Sequence, residues 1–132
     1  MKYLLDTSTV IDIFNGNKEA LFNLDMTPSQ DVSTSSLVFT ELAAGMQGQI
    51  QNSTPHKMAK NFMQLATIEP YGRDAALIAG DLLVLLAKKG KPVGQMDTMI
   101  AAHALAIDAT LVTANTKHFE RIPGLKISNW SR

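Results

Sequence analysis

Hydrophobic and polar positions fall along the chain in blocks that read as short strands, each followed by helical spacing. Residues 2–5 are an apolar run that stops at Asp6, the pattern of a buried strand. Thr7 or Ser8 can cap a following helix whose Val10, Ile11, Ile13 and Phe14 are apolar, and Asn15-Gly16-Asn17 breaks it. Pro28 to Asp31 is loop chemistry. Val32–Ser35 reads as a small second strand, and Ser36 as the N-cap of a helix through Leu42 and Met46, its end weakened by Gly45 and Gly48. Ser53-Thr54-Pro55 opens another helix, with Met58, Phe62, Leu65 and Ala66 on one apolar stripe.

Thr67 to Pro70 then gives a short strand closed by proline. Ala75, Ile78, Ala79, Leu82, Leu83, Leu85 and Leu86 follow at helical spacing as far as Gly90. Residues 97–107 are Ala-rich and helical, Leu111-Val112-Thr113 is a strand, and Thr116 to Glu120 a helical turn. Pro123-Gly124 makes a turn, and Lys126-Ile127-Ser128 a last strand. Strands alternating with helices predict an α/β fold, a mostly parallel sheet with helices on both sides. With no repeat or linker, residues 1–132 read as one domain.

Composition narrows the chemistry. The chain has 132 residues, 45% apolar and 18% charged, and no cysteine, which removes disulfides, thiol nucleophiles and Cys-based zinc sites. No apolar run approaches the ~20 residues that span a bilayer, and the N-terminus is no signal peptide, so a soluble, cytoplasmic protein is expected. The seven methionines are expected to fill the core. Net charge is zero but uneven: residues 1–54 hold two bases and six acids, residues 55–132 ten bases and six acids. A nucleic-acid partner would need a local basic face beside an acidic one.

In parallel α/β sheets the functional site lies beyond the carboxyl ends of the strands. Asp6 terminates the first strand, Glu41 lies in the helix after the second, Asp97 opens the Ala-rich helix, and Asn115 follows the Leu111–Thr113 strand. All four should face one edge of the sheet. Each acid alone is also an ordinary helix cap or solvated residue. As a set, converging carboxylates repel unless a cation joins them, and hard oxygen ligands without His or Cys specify Mg²⁺ or Mn²⁺, the ions of phosphate chemistry. Asp12 and Asp81 read as surface residues. His103 faces away from Asp97, and His56 and His118 have no carboxylate neighbour at triad-like spacing.

Leu4-Leu5-Asp6-Thr7-Ser8, Thr40-Glu41-Leu42, Gly90-Lys91-Pro92-Val93-Gly94 with Asp97, and Ile100-Ala101-Ala102-His103-Ala104 resemble the PIN-domain ribonucleases. The stretch from Val112 to Leu125, with Asn129-Trp130, is similar to the VapC toxins of bacterial VapBC toxin–antitoxin pairs, in particular the enterobacterial-type group. The resemblance runs the length of the chain. It implies a Mg²⁺- or Mn²⁺-dependent endoribonuclease restrained by a VapB antitoxin, cutting initiator tRNA in the anticodon stem-loop. It also implies a homodimer.

Carried over by position, the resemblance makes Asp6 and Asp97 the main metal ligands, with Glu41 holding the metal or its water. Thr113 and Asn115 become supporting polar groups, and Ser8 an orienting hydroxyl beside Asp6. Two departures stand out: Ser8 occupies a position often held by Asn, and Asn115 one often held by a fourth acid. One firm metal is therefore expected, with a second recruited alongside RNA, unless Glu120 reaches in from the next turn. Lys88, Lys89, Lys91, Lys117 and Arg121 could bind tRNA phosphates, or could serve only to end helices and solubilise the surface.

Two other classes compete. An aspartyl-phosphate phosphatase of the haloacid-dehalogenase type also places an Asp after the first strand, but needs a second acid where Ser8 stands. A binding module that kept the acids and lost catalysis has only Asn115 in its favour. Finally, Leu37, Phe39, Leu42, Met46, Phe62 and Met63 suggest a groove for an antitoxin segment on the helices around 37–48 and 55–66. These residues could equally be core.

Overall fold

A computed structural model describes residues 1–132. Its centre is an all-parallel five-stranded sheet in the order β3-β2-β1-β4-β5. The strands are β1 (Tyr3–Leu5), β2 (Val32–Ser35), β3 (Ile68–Glu69), β4 (Thr110–Val112) and β5 (Ile127–Ser128). Leu5 sits opposite Thr34 on one side and Val112 on the other, so β1 is the central strand. Helices cover both faces of such a sheet, which is why Leu4 and Leu5 are consecutively apolar rather than alternating with polar residues. Both are fully buried in a core with Val10, Val38, Ile100, Leu111 and Phe119.

From β1 the chain builds outward through β2 to β3, then returns to lay β4 and β5 on the other side. The direction of winding therefore reverses between β1 and β4, and the carboxyl ends of that pair form the crevice where open α/β sheets bind ligands.

Seven helices surround the sheet: α1 (Thr7–Phe14), α2 (Lys18–Met26), α3 (Ser36–Gln47), α4 (Thr54–Leu65), α5 (Arg73–Lys88), α6 (Gln95–Ala106) and α7 (Thr116–Phe119). The element missing from the sequence pattern is α2. Its apolar residues do not form a core-facing stripe: Ala20 is buried, whereas Phe22 and Met26 are exposed. The start signal was present, since Asn17 accepts from the Ala20 amide at 2.9 Å and caps the helix.

Two caps are shifted by one residue. Asp6, not Thr7 or Ser8, stands at the N-cap of α1, and its side chain makes no capping bond because it is engaged elsewhere. Ser35 rather than Ser36 caps α3, accepting from the Leu37 amide at 3.1 Å. Ser36 Oγ instead accepts from the Tyr71 amide, tying α3 to the segment after β3. Leu65 and Leu83 leave their predicted stripes and face outward, and no methionine is buried. Small side chains fill the tight α6 face instead, where Ala101, Ala102 and Ala104 are fully buried.

The long helices α5 and α6 pack as an antiparallel pair joined by a turn with two glycines at positive φ, Gly90 at 66° and Gly94 at 103°. Gly94 is the N-cap of α6, and a side chain there would be strained. This reversal delivers Asp97 on the first turn of α6.

Candidate active site

Asp6 sits where β1 becomes α1 and is 4% exposed. Its Oδ2 accepts from Thr113 Oγ1 at 2.9 Å and from Ser8 Oγ at 3.2 Å. Those hydroxyls are themselves oriented: the Asn115 amide donates to Thr113 Oγ1 at 3.0 Å, and the Ala114 amide to Ser8 Oγ at 3.1 Å. Each hydroxyl thus spends its lone pair on a backbone N–H after β4 and its proton on Asp6. Ser8 and Thr113 thus both reach the same oxygen of Asp6.

Burial pushes the Asp6 carboxyl above its ordinary pKa, and the nearby charge of Asp97 pushes it the same way. The hydroxyl of Thr113, the Thr7 amide and the Ser8 hydroxyl pull against that rise without overcoming it. A buried carboxyl whose charge is made costlier by desolvation and by a second acid is a site short of positive charge.

The other acids approach from separate elements. Asp97 is 40% exposed in its side chain. Glu41, exposed on α3, accepts from Thr7 Oγ1 at 2.8 Å, which links it to the residue after Asp6. The acids do not close into a ready-made cage of three metal-binding side chains. A polar cavity of about 790 Å³ lies over Asp97, Asn115, Lys117 and His118, with Asn129 and Arg132 also on its wall.

His118 corrects the sequence reading. Its Nε2 lies 2.9 Å from Asp97 Oδ2, a carboxylate partner brought from 21 residues away. Sequence spacing within one helix cannot register a contact between α6 and α7. A usable signal was the i, i+3 relation to Asn115, which puts both on one side of the turn after β4. Asn129 and Arg132 were also missed, although the strand-end rule applied to β5 leads to that segment. Glu120 does not reach in: it is exposed, makes no side-chain hydrogen bond and is absent from the cavity wall.

The basic residues divide. Lys117 lines the cavity. Arg121 donates from Nη1 to the Pro92 carbonyl at 3.3 Å, bracing the turn before α6. Lys88, Lys89 and Lys91 are exposed around that same turn but outside the cavity. Asp12, read as a surface acid, is partly buried and accepts from Ser131 Oγ at 2.6 Å. Asp81 is exposed as expected. His103 is a core residue: Nδ1 pairs with Ser35 Oγ at 2.8 Å, Nε2 has no partner, and burial lowers its pKa.

A second, larger hollow of about 1380 Å³ is lined mainly by apolar side chains, among them Phe14, Phe22, Phe62 and Leu65. It lies between α2 and α4, whereas the sequence suggested α3 and α4. Of the six residues named for it, only Phe62 lines it. Leu42 is spent on the core, and Leu37 packs against it. Leu5, adjacent to Asp6, is part of the floor.

This crevice, with carboxylates at the β1/β4 switch of a 3-2-1-4-5 parallel sheet, is the arrangement of a PIN domain, and the PIN domain family model matches residues 3–125. The tRNA(fMet)-specific endonuclease VapC of Salmonella typhimurium is 33% identical, with 98% of each chain covered. Ribonuclease VapC2 of Rickettsia felis is 31% identical over the full length of both. Among solved structures, the promoter-DNA-bound VapBC2 of Rickettsia felis superposes with a TM-score of 0.88 at 31% identity, covering 98% of this chain and 99% of that one. The DNA-bound VapBC of Salmonella typhimurium gives 0.89 at 30%, covering 98% of each. The chain belongs to the PIN-domain family and, within it, to the VapC ribonuclease toxins. No helix is long and apolar enough to cross a membrane.

Proposed function

We propose that this chain is a divalent-metal-dependent endoribonuclease that cleaves tRNA, with initiator tRNA cut in the anticodon stem-loop as its target, and that a VapB-type antitoxin holds it inactive. The observation that carries the reading is the buried Asp6 carboxylate, oriented by Thr113 and Ser8 and raised in pKa beside Asp97. A cation is what such a pair lacks, and its all-oxygen character fits Mg²⁺ or Mn²⁺. Asp6 and Asp97 would hold the ion, and Glu41, steadied by Thr7, the ion or its water.

When bound, the ion lowers the pKa of a water and neutralises charge on the phosphoryl oxygens during in-line displacement. The protein's own work is positional. Thr113 and Ser8 fix Asp6 so that its Oδ1 is left free of hydroxyl donors. Lys117 and Arg132 on the cavity wall meet RNA phosphates, with Lys88, Lys89 and Lys91 extending the basic rim. Asn115 brings no charge and Glu120 stands away, so one ion is firmly held and a second arrives with the RNA.

The Rickettsia felis and Salmonella typhimurium structures are of VapBC bound to DNA. For this chain the α2/α4 hollow suits an apolar antitoxin segment, its only charged lining residues being Lys18 and Asp25. Exposed Leu77 and Val84, two turns apart on α5, favour a homodimer.

The test is to incubate purified, antitoxin-free protein with total tRNA and Mg²⁺ and map the ends. Cleavage should be metal-dependent, leave 5′-phosphate and 3′-hydroxyl ends, and vanish in both Asp6→Asn and Asp97→Asn. Activity in both variants would refute the assignment. A wild-type protein that binds tRNA but leaves it uncut in Mg²⁺ would favour a binding module.

A further inference from the structure

We propose that Asp12, Asn17 and Asn23, none of which lines the cleft, are positioning residues for the substrate: they clamp residues 129–132 so that the Arg132 guanidinium is presented to an RNA phosphate. The inference rests on the reading of the cleft as an RNA site and deepens it by naming what holds its basic wall.

Arg132 is exposed and borders the same cavity as Asp97, yet it enters none of the chain's ion pairs. Its planar fork of donors is therefore free for an oxyanion from outside, and a fork suits the oxygens of a phosphate. The backbone behind it is held on every side. Trp130 is 5% exposed, and its ring centroid stands 5.5 Å from that of Tyr3, which pins the strap against the start of β1. Asn23 Nδ2 donates to the Trp130 carbonyl at 3.1 Å, and Asn17 Nδ2 to the Ser131 carbonyl at 3.2 Å. Ser131 Oγ donates to Asp12 Oδ2 at 2.6 Å, and the Ser131 amide to Asn129 Oδ1 at 2.8 Å.

The clamp is part of helix α2 itself. Asn17 caps that helix through Oδ1 while its Nδ2 holds the strap, and Asn23 Nδ2 also donates to the Glu19 carbonyl. Fixing the backbone of residues 129–131 before RNA arrives removes ordering entropy that binding would otherwise have to overcome, and leaves only the Arg132 side chain to order. Packing of α2 accounts for buried Trp130 and the two asparagine bonds. It does not call for an arginine without an acid partner on the wall of an acidic cavity, and that is where the clamp delivers one.

The test measures binding of fluorescently labelled, unfractionated tRNA by anisotropy over a range of salt, with the untagged, antitoxin-free chain carrying Asp6→Asn so that the RNA stays whole. Against that parent, Arg132→Ala and Asn23→Ala should each weaken binding about fivefold or more. Arg132→Ala should also lower the salt dependence by the share of one phosphate, a slope of roughly 0.7–0.9, and Arg132→Lys should keep that slope. Once Arg132 is gone, Asn23→Ala should cost less than about twofold more, because its effect runs through Arg132. Unchanged affinity and slope in Arg132→Ala overturns the proposal. So does an Asn23→Ala deficit that persists undiminished without Arg132, the result a merely structural clamp would give, and so does a parent that binds no tRNA. Ser131→Ala cuts the tie to Asp12 without altering a helix and serves the same cycle should Asn23→Ala fail to fold. Cleavage by the chain with Asp6 intact is read separately. Clamp-dependent binding without cleavage upholds this inference and removes the ribonuclease reading, whereas cleavage with clamp-independent affinity does the reverse.

Discussion

Replacing Thr113 by Val removes one hydroxyl with almost no change of shape, and the expected cost is a direct reading of how Asp6 is held. Thr113 is fully buried and donates to Asp6 at 2.9 Å. A hydrogen bond to a charged group contributes about 1.5–3 kcal/mol, one between neutral groups about 0.5–1.5. The valine also deprives the Asn115 amide of its acceptor, although that segment borders the open cavity where water can replace it. At neutral pH in chelator the variant should lose about 1.5–3 kcal/mol, a fall in melting temperature of roughly 5–15 °C for a chain this size.

The loss should depend on pH. Below the pKa of Asp6 the carboxyl is neutral in both proteins, so the difference should shrink to about half. Removing a donor to the carboxylate raises that pKa further, so the cost grows as pH climbs through it. The assay is thermal unfolding of both proteins from pH 4 to pH 8 in EDTA, with tRNA cleavage measured in parallel. A variant as stable as the wild type at pH 7, or a deficit that ignores pH, would refute the claim that this hydroxyl supports an ionised acid.

Three further outcomes follow from the same geometry. Because burial raises the pKa of Asp6, the native state binds its proton more tightly than the unfolded chain, and that acid's contribution to stability falls as pH rises through its titration. Asp6→Asn should therefore melt higher than the wild type at neutral pH in EDTA while losing cleavage and losing the stabilisation that added Mg²⁺ confers. Leu65 lines the α2/α4 hollow yet is 76% exposed, so Leu65→Asp should leave melting nearly unchanged while weakening antitoxin binding about tenfold or more in a titration. Ser35→Ala removes both the cap of α3 and the partner of buried His103, and should cost about 1–3 kcal/mol in urea unfolding.

What the chain determines locally is the alternation of strands and helices. The apolar run before Asp6, the proline start at Ser53-Thr54-Pro55 and the Gly90–Gly94 reversal are decisions made within a few residues, by burial, by fixed φ and by the freedom of glycine. They were enough to place Asp6, Asp97 and Asn115 at the carboxyl end of the sheet, because in a parallel α/β fold that edge is implied once the elements are known. Helix α2 escaped because its apolar side chains serve a groove rather than a core, so they lack the one-sided spacing that marks a helix.

The tertiary structure decided which polar groups meet. Thr113 touches Asp6 across 107 positions of sequence and His118 touches Asp97 across 21. Neither contact has a period or spacing that a linear pattern can carry, because each depends on where β4 lies beside β1 and on how α7 turns back over α6. The same packing set the apolar groove between α2 and α4 rather than between α3 and α4: Leu42 went into the core, while Phe22 and Leu65 stayed uncovered. Sequence set which side chains were available at the rim; only the packed chain set their distances, and the chemistry of a metal site is a matter of distances.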